Sequence, residues 1–305
     1  LQPTDRYAGF PCHRLDGQAR RSVFPNDCLC RVEDRVLVNC LGPAHACLVS
    51  INMFVLISIS NPHRHLQRVF LMTTHSAPDA TLKTVDGGAP SRAEIAALAA
   101  ERRPIRLVNC ELEEADLSNI DMTGWHFADC ILKRANFTSA TLEEAKFVSC
   151  RGAFVDFTAA RLAEATIEKC DFNNGKFGGA TVTQANFIGC KLTGADFTRA
   201  RTTAVVFKET TLSAARLPGV SFRKVEIERV DFSLADLAKC DFREAIFFDS
   251  SLREANLVDA RFEGADLRGA DLGGIRLDDA RKFKGATISR DQAGALLAEM
   301  GLRVH

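Results

Sequence analysis

From Leu107 to Leu277 every fifth residue is large and apolar at 33 of 35 positions, and only Gly152 and Thr202 break the series. Two residues before these positions stand small or compact ones, as in Ala115, Cys130, Ala135, Ala195, Ala235, Ala255 and Ala265. A period of five fits neither an α-helix, which needs 3.6, nor a flat strand, which needs 2. The pattern therefore predicts a solenoid whose large and small slots both point inward, leaving the other three positions of each pentapeptide as polar surface. A second period fixes the number of sides. Cysteine returns every 20 residues at Cys110, Cys130, Cys150, Cys170 and Cys190, and phenylalanine does so at Phe137, Phe157, Phe177 and Phe197. Four pentapeptides per turn stack each set into one column, since a repeat protein buries its core only between neighbouring repeats. At a strand spacing of about 4.8 Å, nearly nine turns make a rod on the order of 40 Å long.

Helical periodicity replaces the period of five at both ends. Ser91 and Glu94 form a capping box ahead of Ile95, Leu98 and Ala99, and Pro104 stops the run, predicting a helix over about 92–103. At the far end the register slips by one between Arg281 and Phe283, and Ile288 is expected to close the last partial coil. Ser289 and Gln292 form a second capping box; Ala293, Leu296, Leu297 and Met300 share a helical face, and Gly301 is placed to end the helix. An uncapped solenoid exposes strand edges and apolar core, so both helices are expected to cover an end. The expected organisation is an irregular extension over 1–71, a linker and capping helix over 72–104, the solenoid over 105–288 and a C-terminal capping helix over 289–305.

The repeats read A(D/N)LXX: Ala115-Asp116-Leu117, Ala135-Asn136-Phe137, Ala185-Asn186-Phe187, Ala195-Asp196-Phe197, Ala235-Asp236-Leu237, Ala255-Asn256-Leu257 and Ala265-Asp266-Leu267. In this the chain resembles the pentapeptide-repeat proteins. The resemblance implies an all-β solenoid: a right-handed four-sided β-helix of about nine coils, with short helical caps at both ends. It also implies a bacterial-type protein that acts by binding macromolecules. In several relatives the C-terminal segment makes a homodimer, which Leu296, Leu297, Met300 and Leu302 would form or support here, together with Val304. Other relatives are acidic rods that mimic duplex DNA and protect DNA gyrase from quinolones or toxins.

Charge bears on that last role. The whole chain has 39 basic and 39 acidic residues, so no overall basic footprint for direct nucleic-acid binding exists. Residues 107–286 hold 24 Lys and Arg against 28 Asp and Glu, unevenly placed. Residues 107–130 have six acids and no bases, 131–230 have 15 bases against 10 acids, and 231–280 have six bases against 12 acids. A basic belt between acidic ends is a poor copy of a polyanion. Its cations Arg199, Arg201, Lys208, Arg216, Arg223, Lys224 and Arg229 are a candidate partner surface. The leading expectation is a rigid scaffold that docks a protein partner, with gyrase-directed mimicry as the alternative.

No catalytic, cofactor or metal site is expected. His126 takes an outward slot with no nucleophile motif nearby, and Ser139, Ser149 and Ser213 lack a G-x-S-x-G turn. Asp before the apolar residue can bond turn amides, which gives it a structural role. The stacked cysteines lie within disulfide reach, yet they fill the slot that Ala and Val take elsewhere, and Thr210 and Val230 continue the column. They read as small core residues, and unpaired buried thiols favour a reducing, cytoplasmic setting. Among the outliers, Gly152 suggests a bulge with Phe154 swung inward or left exposed, Thr202 puts a hydroxyl in the core, and Trp125 fills a small-residue slot near the N-terminal end.

Residues 1–71 differ in kind. They contain eight Arg, no Lys, five Cys and five Pro, and the segment Met72–Ser76 reads like an ordinary polar N-terminus, so Met72 is expected to be the true start, with 1–71 a mis-set gene start or an unstructured extension. The apolar run 46–60 is shorter than the roughly 20 residues of a membrane span. Cys28, Cys30, His63 and His65 fall outside usual zinc spacings. Neither a membrane nor a metal is expected as a partner.

Overall fold

The computed structural model describes residues 28–32, 36–40, 82–275, 280–299 and 301–303, the first two segments by backbone alone. Expectations for the rest of 1–71, for Leu277, Met300 and Val304 lie outside the described residues. Residues 1–76 and 77–305 are separate compact units. In the first, strands β1 (Cys28–Val32) and β2 (Val36–Cys40) pair antiparallel.

The second unit is the solenoid, a right-handed parallel β-helix. One side is a continuous nine-stranded parallel sheet: β3 (Lys83–Asp86), β4 (Ile105–Val108), β5 (His126–Ala128), β6 (Lys146–Val148), β7 (Thr166–Glu168), β8 (Asn186–Ile188), β9 (Val206–Lys208), β10 (Glu226–Glu228) and β11 (Ile246–Phe248). We call this side the first face; the second, third and fourth follow in chain order, centred on Leu112, Leu117 and Met122 and their equivalents every 20 residues. On those three faces most neighbouring coils pair through single parallel bridges, such as Glu111 to Ile131, Asp116 to Asn136 and Asp121 to Thr141. Short strands β12 (Ser250–Ser251) and β13 (Ala270–Asp271) extend one of these contacts.

Hydrogen bonds run from coil to coil: Leu132 N donates to Arg151 O at 2.7 Å, and Arg151 N donates to Cys130 O at 2.9 Å. The bend comes from the last two residues of each pentapeptide. Ala135 N donates back to Leu132 O at 2.9 Å, closing a four-residue turn in which Arg134 has φ +54°. A positive φ at that place is the mark of a type II turn, which normally selects Gly or Asn. Here Glu, Arg, Ser, Lys and even Phe154 and Leu234 adopt it, held there by the stacked coils.

The interior is sealed. Phe137, Phe157, Phe177 and Phe197 are at most 1 % exposed and form a stack with centroids 5.0, 5.2 and 4.5 Å apart. Phe127 meets Phe147 at 4.6 Å, and the two columns touch edge to face, the arrangement that ring quadrupoles favour. No bulge forms at Gly152: a Cβ there would lie 2.7 Å from the Phe172 ring, so the ring of the next coil fills the vacated space. Phe154 stays outside, half exposed. Thr202 is only half buried, and Trp125 is fully buried.

The N-terminal helix α1 (Arg92–Ala99) begins with the expected capping box but ends before Pro104. Glu101 and Arg102 bond back three residues instead, and Arg102 turns to φ +49°. Ile95 plugs the first coil, and Arg92 ties the helix to the carbonyls of Asp116 and Ser118 at 2.7 and 2.9 Å. The preceding strand β3, which the periodicity does not foresee, extends the first-face sheet by one strand. At the other end the slipped residue is absorbed by a 3₁₀ turn over Ala280–Phe283, so Phe283 still stacks on Phe262 at 5.0 Å. Ile288 does not close the coil; it is 38 % exposed, and Leu296 from helix α2 (Arg290–Glu299) covers the end.

Candidate interaction surface

Three features of the coil wall are candidates for a site, and each follows from the repeat. The first is the thiol column, at the corner leaving the first face. Between Ile105 and Phe247 this corner lacks the backbone turn bond that the other three make. Side chains replace it. The single S–H of Cys130 is shared between Ala128 O and Leu107 O, 3.3 and 3.5 Å from Sγ, and Cys190 Sγ donates to Ile167 O at 3.2 Å. Thr210 Oγ1 donates to Lys208 O at 2.8 Å and Ser250 Oγ to Phe248 O at 2.8 Å. The freed amides pair as well: Cys150 N donates to Cys170 Sγ, Cys190 N to Thr210 Oγ1 and Val230 N to Ser250 Oγ, at 3.4, 3.4 and 3.1 Å. The slot thus selects a small residue that can hydrogen-bond, and Val230 is the exception. The thiols are buried and free. Burial pushes Cys110 and Cys190 up to about 11, and contact with Cys150 together with burial raises Cys130; Cys240, outside this column at the start of the fourth face, is pushed by burial up to about 12. Such thiols are chemically inert, not nucleophiles.

The second feature is the candidate basic belt. The structure spreads its seven cations over three faces: Lys208 and Arg229 on the first, Arg199 and Arg216 on the third, Arg201, Arg223 and Lys224 on the fourth. Most are already paired with acids one coil away. Lys208 meets Glu228 at 2.7 Å, Arg216 meets Asp196 at 3.4 Å, and Arg223 and Lys224 share Glu244 at 3.1 and 3.5 Å. Arg229 joins Glu209 and Glu228. Bases that look like a belt in sequence are therefore cancelled along the stacking direction. These are exposed pairs of small energetic worth.

The third feature, whose pairing from coil to coil the triplets do not show, is a ladder on the third face. Its outward column reads Asp116, Asn136, Asp156, Lys176, Asp196, Arg216, Asp236, Asn256, each bridged to the next. Every acid has a donor above it: Asn136 to Asp116 at 3.1 Å, Lys176 to Asp156 at 3.3 Å, Arg216 to Asp196 at 3.4 Å and Asn256 to Asp236 at 2.9 Å. The acids also accept turn amides two residues on, Ser118 N at 3.1 Å and Thr198 N at 2.8 Å among them, as their type and position predict. At Asp156, burial pushes the carboxyl up but the bonds from Thr158 and Lys176 outweigh it, and the net shift is downward. Beside the ladder, Phe154, Arg134, Asn136, Thr138, Asp156 and Lys176 line a surface groove of about 450 Å³, with the Arg134 guanidinium 5.9 Å from the Phe154 ring centre.

Of the candidate dimer residues, Leu296 is buried against the last coil, while Leu297 and Leu302 are 36 % and 53 % exposed. Among the described residues no group of His, Cys, Asp and Glu is arranged to hold a metal. No helix there is long and apolar enough to cross a membrane.

The pentapeptide repeat region model matches residues 120–197, and eight-copy pentapeptide repeats match residues 206–244 and 245–281, together about half of the chain. No curated protein matches the sequence. Among solved structures, the rod is similar to a trypsin-treated form of QnrB1, a plasmid-mediated fluoroquinolone resistance protein. The TM-score is 0.55 at 20 % identity, over 72 % of this chain and 100 % of that one. It is also similar to HetL, a pentapeptide repeat protein involved in heterocyst differentiation regulation from the cyanobacterium Nostoc sp. strain PCC 7120. There the TM-score is 0.52 at 22 % identity, over 65 % of this chain and 94 % of that one. At such identities the likeness is one of fold. Five-residue period, four-sided coil and repeat match agree: the chain belongs to the pentapeptide-repeat proteins, and is a non-enzymatic β-helical scaffold of that family.

Proposed function

We propose that the rod acts by binding a protein, and that its partner is DNA gyrase, engaged through likeness to duplex DNA. The observation that carries this reading is the pairing of the belt. In sequence, a stretch with 15 bases against 10 acids argues against a DNA mimic. In the fold, five of its seven candidate cations sit against carboxylates of adjacent coils, which neutralises them locally and weakens that objection, although the stretch keeps five more bases than acids. The rod's likeness in fold to the trypsin-treated form of a fluoroquinolone resistance protein, over the whole of that chain, supports the same reading. A supercoiling assay with purified gyrase and the full chain, with and without a quinolone, tests it. Inhibition of supercoiling, or relief of drug inhibition, is expected. No effect of either kind across a wide concentration range overturns it.

A second reading, a scaffold for a different protein, draws on the exposed apolar side chains of Phe248, Ile246 and Val206 on the first face. Duplex DNA offers nothing equivalent to them. Charge reversal at Arg223, Lys224 and Arg229 would discriminate: a gyrase effect sensitive to these residues favours the first reading, and partner capture from lysate that depends on them favours the second.

A further inference from the structure

We propose that the third face is a homodimer interface, on which a second copy of this chain packs antiparallel. This stands apart from the gyrase reading. The outward column of this face alternates acid and donor over eight consecutive coils, Asp116 to Asn256, in continuous register. An alternating column of even length is complementary to its own reverse. A two-fold axis lying in the face, perpendicular to the rod and between the rows of Lys176 and Asp196, turns the column onto itself in reverse order. Asp116 then faces the partner's Asn256, Asn136 faces Asp236, Asp156 faces Arg216, and Lys176 faces Asp196. All eight rows meet an opposite charge or a hydrogen-bonding mate, which is what an isologous contact requires.

The neighbouring column permits close approach, while Arg199 and Lys239, one column further out, come opposite the partner's Gly179 and Ser139. That neighbouring column runs Ser118, Thr138, Thr158, Gly178, Thr198, Pro218, Ala238 and Val258, with no charge and no long side chain. The acids keep one oxygen on their own turn amides, as Asp156 does with Thr158 N at 2.9 Å. Their other oxygen takes the cation, and Lys176 and Arg216, each about 60 % exposed, are free to swing between two carboxylates. The half-exposed Phe154 at the rim comes opposite the small residues Gly194 and Ala214 and beside Leu234, itself 59 % exposed. The groove next to Phe154 faces the partner's Arg216 row. Eight rows at about 4.8 Å by roughly 15 Å give on the order of 500 Å² per protomer, the size class of a reversible association.

The test is a cross-link that only this register allows. Thr138 and Ala238 lie five coils apart, about 24 Å, so they cannot bridge within one protomer. In the dimer each faces the other's copy. The full chain carrying both Thr138→Cys and Ala238→Cys is expected to form a covalent dimer on mild oxidation, and either single variant and the parent chain are not. Sedimentation equilibrium of the parent should show a concentration-dependent dimer that Phe154→Arg or Arg216→Gln weakens at least tenfold, with circular dichroism unchanged. A parent that stays monomeric at its highest soluble concentration overturns the proposal. So does a dimer that survives both substitutions and dissolves on Leu302→Asp, because that places the contact at the C-terminal end.

Discussion

The middle of the rod and its closing coil solve the same problem in different ways. In the middle, Phe177 is covered by rings above and below, and most amides that point along the axis meet a carbonyl of the next coil. At the C-terminal end no next coil exists. There Gln292 Nε2 reaches back to the carbonyls of Leu267 and Ala270 at 2.7 and 2.6 Å, Glu299 accepts from Gly274 N at 2.9 Å, and Leu296 lies on the last apolar layer. Propagation is encoded by repetition and termination by a few polar side chains that belong to no repeat. Mutations in the two regions should therefore differ in size and in reach.

The largest effect is expected in the middle. Phe177→Ala opens a cavity in a stack with no room to collapse and should cost about 3–5 kcal/mol in urea unfolding. Because coils couple only to neighbours, it should lower amide protection on both sides of the gap. A loss below about 1 kcal/mol would mean that the columns slide to fill the hole. Next comes the hydroxyl of the thiol column. Thr210→Val keeps the shape but removes the one O–H that Phe187 O and Lys208 O share and the acceptor for Cys190 N, at about 1–3 kcal/mol. Thr210→Cys, which restores the common residue of the column, should recover most of the loss. At the end, Gln292→Ala leaves two carbonyls to water and should cost about 1 kcal/mol. Its signature is faster amide exchange confined to the last coil; protection lost at Phe177 as well would contradict the local character of the cap.

Acid probes the surface rather than the stack. Bonds from Arg243 and Arg268 hold the carboxyls of Asp241 and Asp266 below the ordinary range, against a smaller opposing effect of burial. Groups depressed in this way stabilise the fold above the ordinary carboxylate pKa of about 3.9, and the contribution is lost as pH falls through their lower folded values. The melting temperature should thus be flat from pH 6 upward to about 8 and fall below about 4. A melting temperature that rises on acidification would refute the assignment. The smallest effect is a gain. Ala159 sits at φ +56°, so Ala159→Gly relieves strain at a corner and, after the entropy lost by a freer unfolded chain, should add a few tenths of a kcal/mol, roughly.

Most of the fold was legible because one constraint repeats. Each coil must present a large and a small residue to a narrow interior, so Leu107 to Leu272 could be assigned inward from spacing alone, and the structure buries them with the exception of Thr202. Capping boxes at Ser91 and Ser289 were readable for the same local reason. The helix end before Pro104, the extra strand Lys83–Asp86 and the exposure of Ile288 were not, since each depends on what the end coil leaves uncovered. The candidate site was less legible still. Arg216 and Asp196 are twenty residues apart, and a net count over the belt registers their charges but not their contact.

By itself the sequence determined the period, the inward register, the number of sides and the absence of bulk charge, because these are properties of one pentapeptide multiplied. Only the tertiary structure decided which charges neutralise each other, why one column wants Cys, Thr or Ser, and that Phe172 fills the space beside Gly152. Those depend on the residue twenty positions away. Stacking brings that residue to roughly 5 Å, where hydrogen bonds, ion pairs and ring contacts act.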